Sequence, residues 1–283
     1  MAVPKEPANV LPVTTSVPPD FPEDQKALFR EVLTVLNRGS IPYAVSGAFA
    51  LQQHTGIWRF TKDLDVFLTA EVVFTALQLL GRHNYVCEIC DPVWLAKAHR
   101  DDFYVDLITG MSNGVITVAP SWIERSQPAL IVEVETRVLA PEELIASKLF
   151  VTRRERFDGA DIAHVIYATR GKMDWERILS IAGENWEILL WNLILFRYIY
   201  PACTEYVPLE LWNDLLTRYM ALIAKTDCSA RFRGSLIDEK MFAIDVKEWG
   251  MADILAEYRD RRIQATRRLD QAGMFSNLKS TEK

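Results

Sequence analysis

From Glu23 the apolar residues Ala27, Leu28, Val32, Leu33 and Leu36 recur at helical spacing and stop before Gly39, which predicts a first helix. Ile41 to Val45 is a short apolar run, Ser46-Gly47 interrupts it, and Ala48 to His54 resumes with helix-compatible residues up to Gly56. A strand, a tight turn and a helix are expected in that order. Lys62 to Leu68 alternates polar and apolar residues as a strand does, and Glu71 to Leu80 returns to helical spacing before Gly81. Tyr85 to Ile89 and Phe103 to Ile108 predict two further strands. In the last β-like run, Ile131 to Val138, Val132, Val134 and Thr136 alternate with Glu133, Glu135 and Arg137.

Pro141-Glu142-Glu143 then opens a helix, with proline in the first turn where its missing N–H costs nothing. Beyond it the pattern is helical throughout: Leu144 to Arg156, Ala160 to Ala168, Trp175 to Ile181, Glu187 to Tyr200, Leu209 to Ala224 and Met251 to Gln271, with breaks at Gly159, Gly171, Gly183 and Pro201. The expectation is an α+β chain, a mixed sheet flanked by helices over residues 21–140 followed by a mostly helical domain over 141–275. The proline-crowded residues 1–20 read as a disordered leader and 276–283 as a flexible tail. Ile188 to Ile199, broken by Asn192 and Arg197, falls short of the roughly 18 to 20 apolar residues of a membrane span and reads as a buried helix.

Composition narrows the function classes. At 49% hydrophobic and 25% charged residues the chain can bury a substantial core, so wholesale disorder and fibrous architectures are excluded. A net charge of -6 is poor for coating nucleic acid through bulk charge, although a local basic groove is compatible with it. The four cysteines, Cys87, Cys90, Cys203 and Cys228, are too few and too uneven for a disulfide framework, and no targeting signal is visible at the start, so a cytoplasmic location is expected.

Asp63 and Asp65 stand two apart in a strand-like segment, so both carboxylates point to one face. Two like charges there are costly unless a cation lies between them, and such an oxygen pair suits Mg²⁺ or Mn²⁺; the plain alternative is a solvated strand end. Ser46-Gly47 lies between an apolar run and a helix. A glycine there lets the backbone approach a phosphate, a serine hydroxyl can donate to it, and the helix N-terminus adds positive potential; alternatively it is an ordinary turn. Asp106 interrupts the apolar run Tyr104 to Ile108, where a carboxylate needs a partner. If its strand lies beside that of Asp63 and Asp65, three carboxylates could hold two divalent ions about 4 Å apart for nucleotidyl transfer. A strand-end acid capping a loop is the alternative.

Together Val45-Ser46-Gly47-Ala48, Asp63-Leu64-Asp65 and Asp106 resemble the nucleotidyltransferase fold of the DNA polymerase β superfamily, in which a Gly-Gly or Gly-Ser turn opens a helix, a DxD follows, and a third Asp comes from a neighbouring strand; here Ser46-Gly47-Ala48 replaces one residue of that pair. The longer string VSGAFALQQHTGIWRFTKDLDVFL is similar to the toxin-type nucleotidyltransferases of the AbiEii and MenT kind. Those have a helix ending in His-x-Gly and an Arg-x-[Ser/Thr]-x-Asp-hydrophobic-Asp stretch, matched here by Arg59, Thr61, Asp63 and Asp65. Lys148, Arg153, Arg154, Arg156, Asp158 and Asp161 stand in the order of that family's later Lys, Arg-rich turn and Asp-x-x-Asp. The resemblance covers about residues 41–170.

It implies that Asp63, Asp65 and Asp106 bind Mg²⁺ or Mn²⁺, with Asp106 also orienting or deprotonating the acceptor hydroxyl. It further implies that Ser46, Gly47, Arg59, Lys148 and Asp161 form the nucleotide site, with Asp158 and Asp161 positioning Lys148 or Arg154. The implied reaction moves a nucleoside monophosphate from a nucleoside triphosphate to a transfer RNA end or a protein, with an antitoxin protein as a possible partner. A second likeness, to antibiotic nucleotidyltransferases, implies a small-molecule acceptor. A nucleotide-binding sensor without catalysis is the third reading. No membrane is implied.

Other features read as structural. Cys87 and Cys90, three apart on an extended strand, point to opposite faces and are expected to be buried thiols rather than zinc ligands. Trp186, Trp191, Phe196 and Tyr198 read as core aromatics, and Arg153, Arg154, Arg156, Arg170 and Lys172 as a basic rim or a solvated surface. Residues around Arg259 to Arg268 read as a charged amphipathic helix.

Overall fold

A computed structural model describes residues 22–270, so the expected leader 1–20 and the tail 276–283 lie outside the described residues. Helix α1 (Glu23–Arg38) is followed by β1 (Ala44–Val45), α2 (Gly47–Thr55), β2 (Asp63–Phe67) and α3 (Ala70–Arg82). Then come β3 (Val86–Asp91), β4 (Leu95–Arg100), β5 (Phe103–Ile108), α4 (Pro120–Glu124), β6 (Gln127–Ile131) and β7 (Val134–Val138). The rest of the described chain is helical: α5 (Pro141–Lys148), α6 (Gly159–Thr169), α7 (Trp175–Ala182), α8 (Trp186–Ile199), α9 (Leu209–Ile223), α10 (Gly234–Ile237), α11 (Ala243–Lys247) and α12 (Ile254–Leu269).

The strands form one seven-stranded sheet in the order β3-β4-β5-β2-β1-β7-β6. Pairs β2/β5 and β1/β7 are parallel and the others antiparallel, so this is a mixed sheet flanked by helices, an α+β fold. Alternation along the central strands separates two faces. Leu64, Val66, Ala96, Ala98, Val105 and Leu107 are almost fully buried in a core that includes Phe29, Val32, Leu33 and Leu36 of α1 and Leu77 and Leu80 of α3. Each large side chain buried there stabilises the fold by about 1.5–3 kcal/mol. The residues in between, Asp63, Asp65, Lys97, His99, Tyr104 and Asp106, point to the opposite face.

Several expectations are corrected. The strand expected from Ile41 is only Ala44–Val45. The single run Ile131 to Val138 begins inside a β6–β7 hairpin, whose turn residues Val132 and Glu133 sit at φ 41° and 68°. Strand β4, strand β6 and helix α4 were not expected. The helix predicted as far as Arg156 ends at Lys148, and the chain folds into a small hairpin closed by Thr152 and Phe157, with Arg153 and Arg156 bonded to each other at its tip. The side chain of Arg156 then takes Asp158 as partner, which an uninterrupted helix would not offer it.

Helix α8 is buried along one face only. Leu189, Leu190, Leu193 and Phe196 are in the core, whereas Trp191, Ile194 and Tyr198 are exposed, Tyr198 at 82%, so two of the expected core aromatics lie outside it. Taken by length and composition alone, the helical run Trp175–Ile199 is long and apolar enough to cross a membrane. A short 3-10 turn at Gly183–Asn185 divides it, with Gly183 at φ 55°. Cys90 is exposed, contrary to the expectation of two buried thiols, because β3 is the sheet edge; burial raises the Cys87 thiol to about 11, and partial burial beside Glu88 raises Cys90 to about 12.

Candidate active site

Asp65 and Asp106 are Cα partners in the parallel pairing of β2 and β5, and Asp63 is the partner of Tyr104. Partnered positions share a face, so the three acids predicted from the sequence meet on the side of the sheet away from the α1 core. The strand carrying the first two is pinned where it begins. Gln25 on α1 donates to the carbonyls of Thr61 and Lys62 at 3.2 Å, and the Thr61 hydroxyl donates to the Asp63 carbonyl at 2.9 Å.

The Ser46-Gly47 turn lies against them. Ser46 is buried and donates its backbone N–H to the Asp65 carbonyl at 2.9 Å, which places the N-terminus of α2 beside the strand. Gly47 has φ +58°, a conformation glycine adopts without cost. It is also required for space, since a Cβ there would lie 1.8 Å from Oδ2 of Asp65. At the other end of α2, Nε2 of His54 lies 2.7 Å from the carbonyl of Leu139, which ties the helix to the end of β7.

The later motif closes on the same place. Nζ of Lys148 is 2.6 Å from Asp158 and 2.9 Å from Asp161, and Arg59 reaches the other oxygen of Asp161 at 2.5 Å as an ion pair rather than an aligned hydrogen bond. Arg156 binds both oxygens of Asp158 at 3.0 Å. Lys148, Asp158 and Asp161 are buried, so Lys148 is not a solvated helical residue paired with Glu142 or Glu143. Those two glutamates instead accept from the Asp174 N–H and from Arg177. Of the remaining arginines in the turn, Arg153 is drawn to the Ser112 hydroxyl, and the Arg154 N–H donates to Asp238.

The electrostatics follow from the packing. Burial raises the Asp65 carboxyl to about 6, the nearby Asp106 adding to the shift and Lys148 and Arg156 opposing it. Burial also raises Asp106, against the pull of Lys97, whose ammonium lies 2.7 Å from its Oδ1. For Asp158 burial acts upward too, but Arg156 and Lys148 outweigh it and hold the carboxyl below its usual range. Burial lowers His164, with Arg59 adding to the effect. Lys97 escaped the sequence reading because its strand did; the alternation of Ala96, Lys97, Ala98 and His99 was the signal that could have found it.

A divalent cation fits this donor set in chemistry. The side chains of Asp63 and Asp65 make no hydrogen bond or ion pair within 4 Å among the described residues, Gly47 brings the backbone of the turn against the Asp65 carboxylate, and burial first and Asp106 second raise the Asp65 carboxyl, a cost that a cation would relieve. Among the described residues no three His, Cys, Asp or Glu side chains stand close enough to enclose an ion unaided. Such a site therefore needs oxygens from substrate or water to complete it.

Residues 25–215 match the model of a protein family described as nucleotidyl transferase of unknown function (DUF2204). No curated protein matches the chain. Similar solved structures include an antigenic nucleotidyltransferase-like protein from Paracoccidioides brasiliensis, at 18% identity and a TM-score of 0.43, covering 65% of this chain and 93% of that one. The antibiotic-resistance factor ANT(2'')-Ia is similar at 14% identity and a TM-score of 0.38, covering 66% and 98%. JHP933 from Helicobacter pylori is similar at 15% identity and a TM-score of 0.35, covering 90% and 96%.

Proposed function

The chain belongs to that family of nucleotidyl transferases, and from this premise we propose that it moves a nucleoside monophosphate from a nucleoside triphosphate to an acceptor hydroxyl with the help of Mg²⁺ or Mn²⁺. The observation that carries the reading is the placement of Asp65 opposite Asp106 on parallel strands, with Gly47 and the start of α2 against Asp65.

Asp63 and Asp65, with Asp106 beside them, would hold the cation. When bound, it neutralises charge that develops on the triphosphate oxygens. The N–H groups at the start of α2 and the Ser46 hydroxyl would bind phosphate oxygens, since a helix N-terminus carries unpaired donors. Lys148 and Arg59, oriented by Asp158 and Asp161, would add positive charge at the same end. Asp106, whose basicity is raised by burial, would take the acceptor proton. The acceptor oxygen bonds to the α-phosphorus as the bond to the bridging oxygen breaks, and pyrophosphate leaves with that electron pair.

On the resemblance to toxin-type enzymes, transfer RNA ends and proteins are the first acceptors to supply, and an antitoxin is the first partner to seek. The test is Mg²⁺-dependent transfer of label from an α-labelled nucleoside triphosphate, screened over the four bases and those acceptors. Release of pyrophosphate by wild type but not by Asp65→Asn or Asp106→Asn is expected. Equal release by the Asn variants would overturn the assignment, and nucleotide binding without release under any condition would favour the sensor reading.

A further inference from the structure

Four residues form one line across four strands of the sheet: Glu88 pairs with Lys97, Lys97 with Asp106, and Asp106 with Asp65. Lys97 is therefore the cross-strand neighbour of Asp106, whereas Lys148 and Arg156 act on Asp65. Its ammonium is 2.7 Å from Oδ1 of Asp106, lies 5.4 Å from the centre of the Tyr104 ring, and is within Coulombic reach of Asp63. Both partners are largely shielded, with side chains 24% and 14% exposed, so the pair is weakly screened by salt.

We propose that Lys97 acts as a resident counter-cation, its ammonium on Asp106 offsetting part of the charge that the three carboxylates present to one divalent ion. The inference rests on the metal-dependent reading above. Lys97 offsets one unit of the negative charge that Asp63, Asp65 and Asp106 carry together before any nucleotide arrives. A cross-strand ion pair serving stability alone would make a different prediction, because its loss would disorder Asp106 and weaken any cation bound there.

The experiment is Mn²⁺ titration of the full chain without nucleotide, read by electron paramagnetic resonance, for wild type, Lys97→Met, Lys97→Arg and Asp65→Asn. Wild type is expected to bind one Mn²⁺. Lys97→Met should bind it on the order of tenfold more tightly, since a unit positive charge near the ion has been removed. Lys97→Arg should return the affinity to near the wild-type value, and Asp65→Asn should lose it. Unchanged or weaker binding in Lys97→Met, with a circular dichroism spectrum and melting curve like those of wild type, would overturn the role given to Lys97 while leaving the metal reading in place. If Lys97→Met does not fold, Lys97→Gln, which is polar but uncharged, carries the same expectation. Absence of Mn²⁺ binding by wild type at millimolar concentrations would overturn both.

Discussion

Gly47 and Asp65 touch so closely that any side chain at position 47 would force one of them to move: an added Cβ would lie 1.8 Å from the carboxylate oxygen and would sit on a backbone at φ +58°. Gly47→Ala is therefore expected to displace either α2 or the Asp65 side chain. It should cost about 1–3 kcal/mol of stability and abolish nucleotide-dependent stabilisation of the fold. Urea unfolding with and without nucleoside triphosphate and Mg²⁺ reads both. A Gly47→Ala protein that still gains stability from nucleotide would contradict the placement of phosphate at this turn.

Asp65 is stored at a cost. Its carboxyl is raised from 3.8 to about 6, so between those values the folded state holds a proton that the unfolded chain has released. Stability of the metal-free protein should fall as pH rises through that window, and the loss is complete above it. Asp65→Asn removes the penalty. In chelator at pH 8 the variant should be more stable than wild type by up to about 3 kcal/mol, and the difference should vanish near pH 4. Equal unfolding midpoints at pH 8 would show that Asp65 is not strained by burial and by Asp106.

The same shift sets an acid limit for cation binding. As pH falls through about 6, Asp65 takes up a proton and the carboxylates lose charge. Mn²⁺ affinity of the free protein should drop steeply between pH 7 and pH 5, which Mn²⁺ titration repeated across that range measures. Flat affinity across that range would exclude Asp65 as a ligand.

Lys148 illustrates why one partner of a buried network is worth more than the pair. Replacing it with Met leaves Asp158 with Arg156 alone and Asp161 with Arg59 alone, both deep in the protein. The expected loss is about 2–4 kcal/mol, somewhat below the usual figure for breaking a buried pair because each acid keeps a second cation. Lys148→Arg should recover part of the stability, and thermal melts of the two variants separate the cases.

The three acids were legible because a strand repeats every two residues and an acid among Val, Leu and Ile is conspicuous. Their meeting depended on β2 and β5 being parallel neighbours, a tertiary fact that no local pattern contains. Lys97 was hidden by composition: Leu-Ala-Lys-Ala-His-Arg has neither the β-branched nor the aromatic residues that announce a strand, although its two alanines are buried and α3 packs against the strand. The β6–β7 turn was hidden for a different reason. Val132 and Glu133 both adopt positive φ, which their side chains disfavour, so no glycine or asparagine marks the bend. The early end of α5 was invisible because Leu149 to Arg156 suits a helix locally; the hairpin is favoured by the partners that Asp158 gives Lys148 and Arg156.

The parallel register of β2 and β5 constrains which changes of length the gene can tolerate. Removing a single residue between Phe103 and Asp106, with the start of the strand held, would turn the face that Asp106 now occupies over to an apolar neighbour, because adjacent side chains on a strand face opposite ways. Lengthening the connection between β3 and β4, or the bend at Asp101-Asp102, leaves that parity untouched. Insertions and deletions among natural relatives should therefore gather in those bends and be absent from the strands that carry the acids, so that a deletion scan by single codons would trace the outline of the site before any substrate is known.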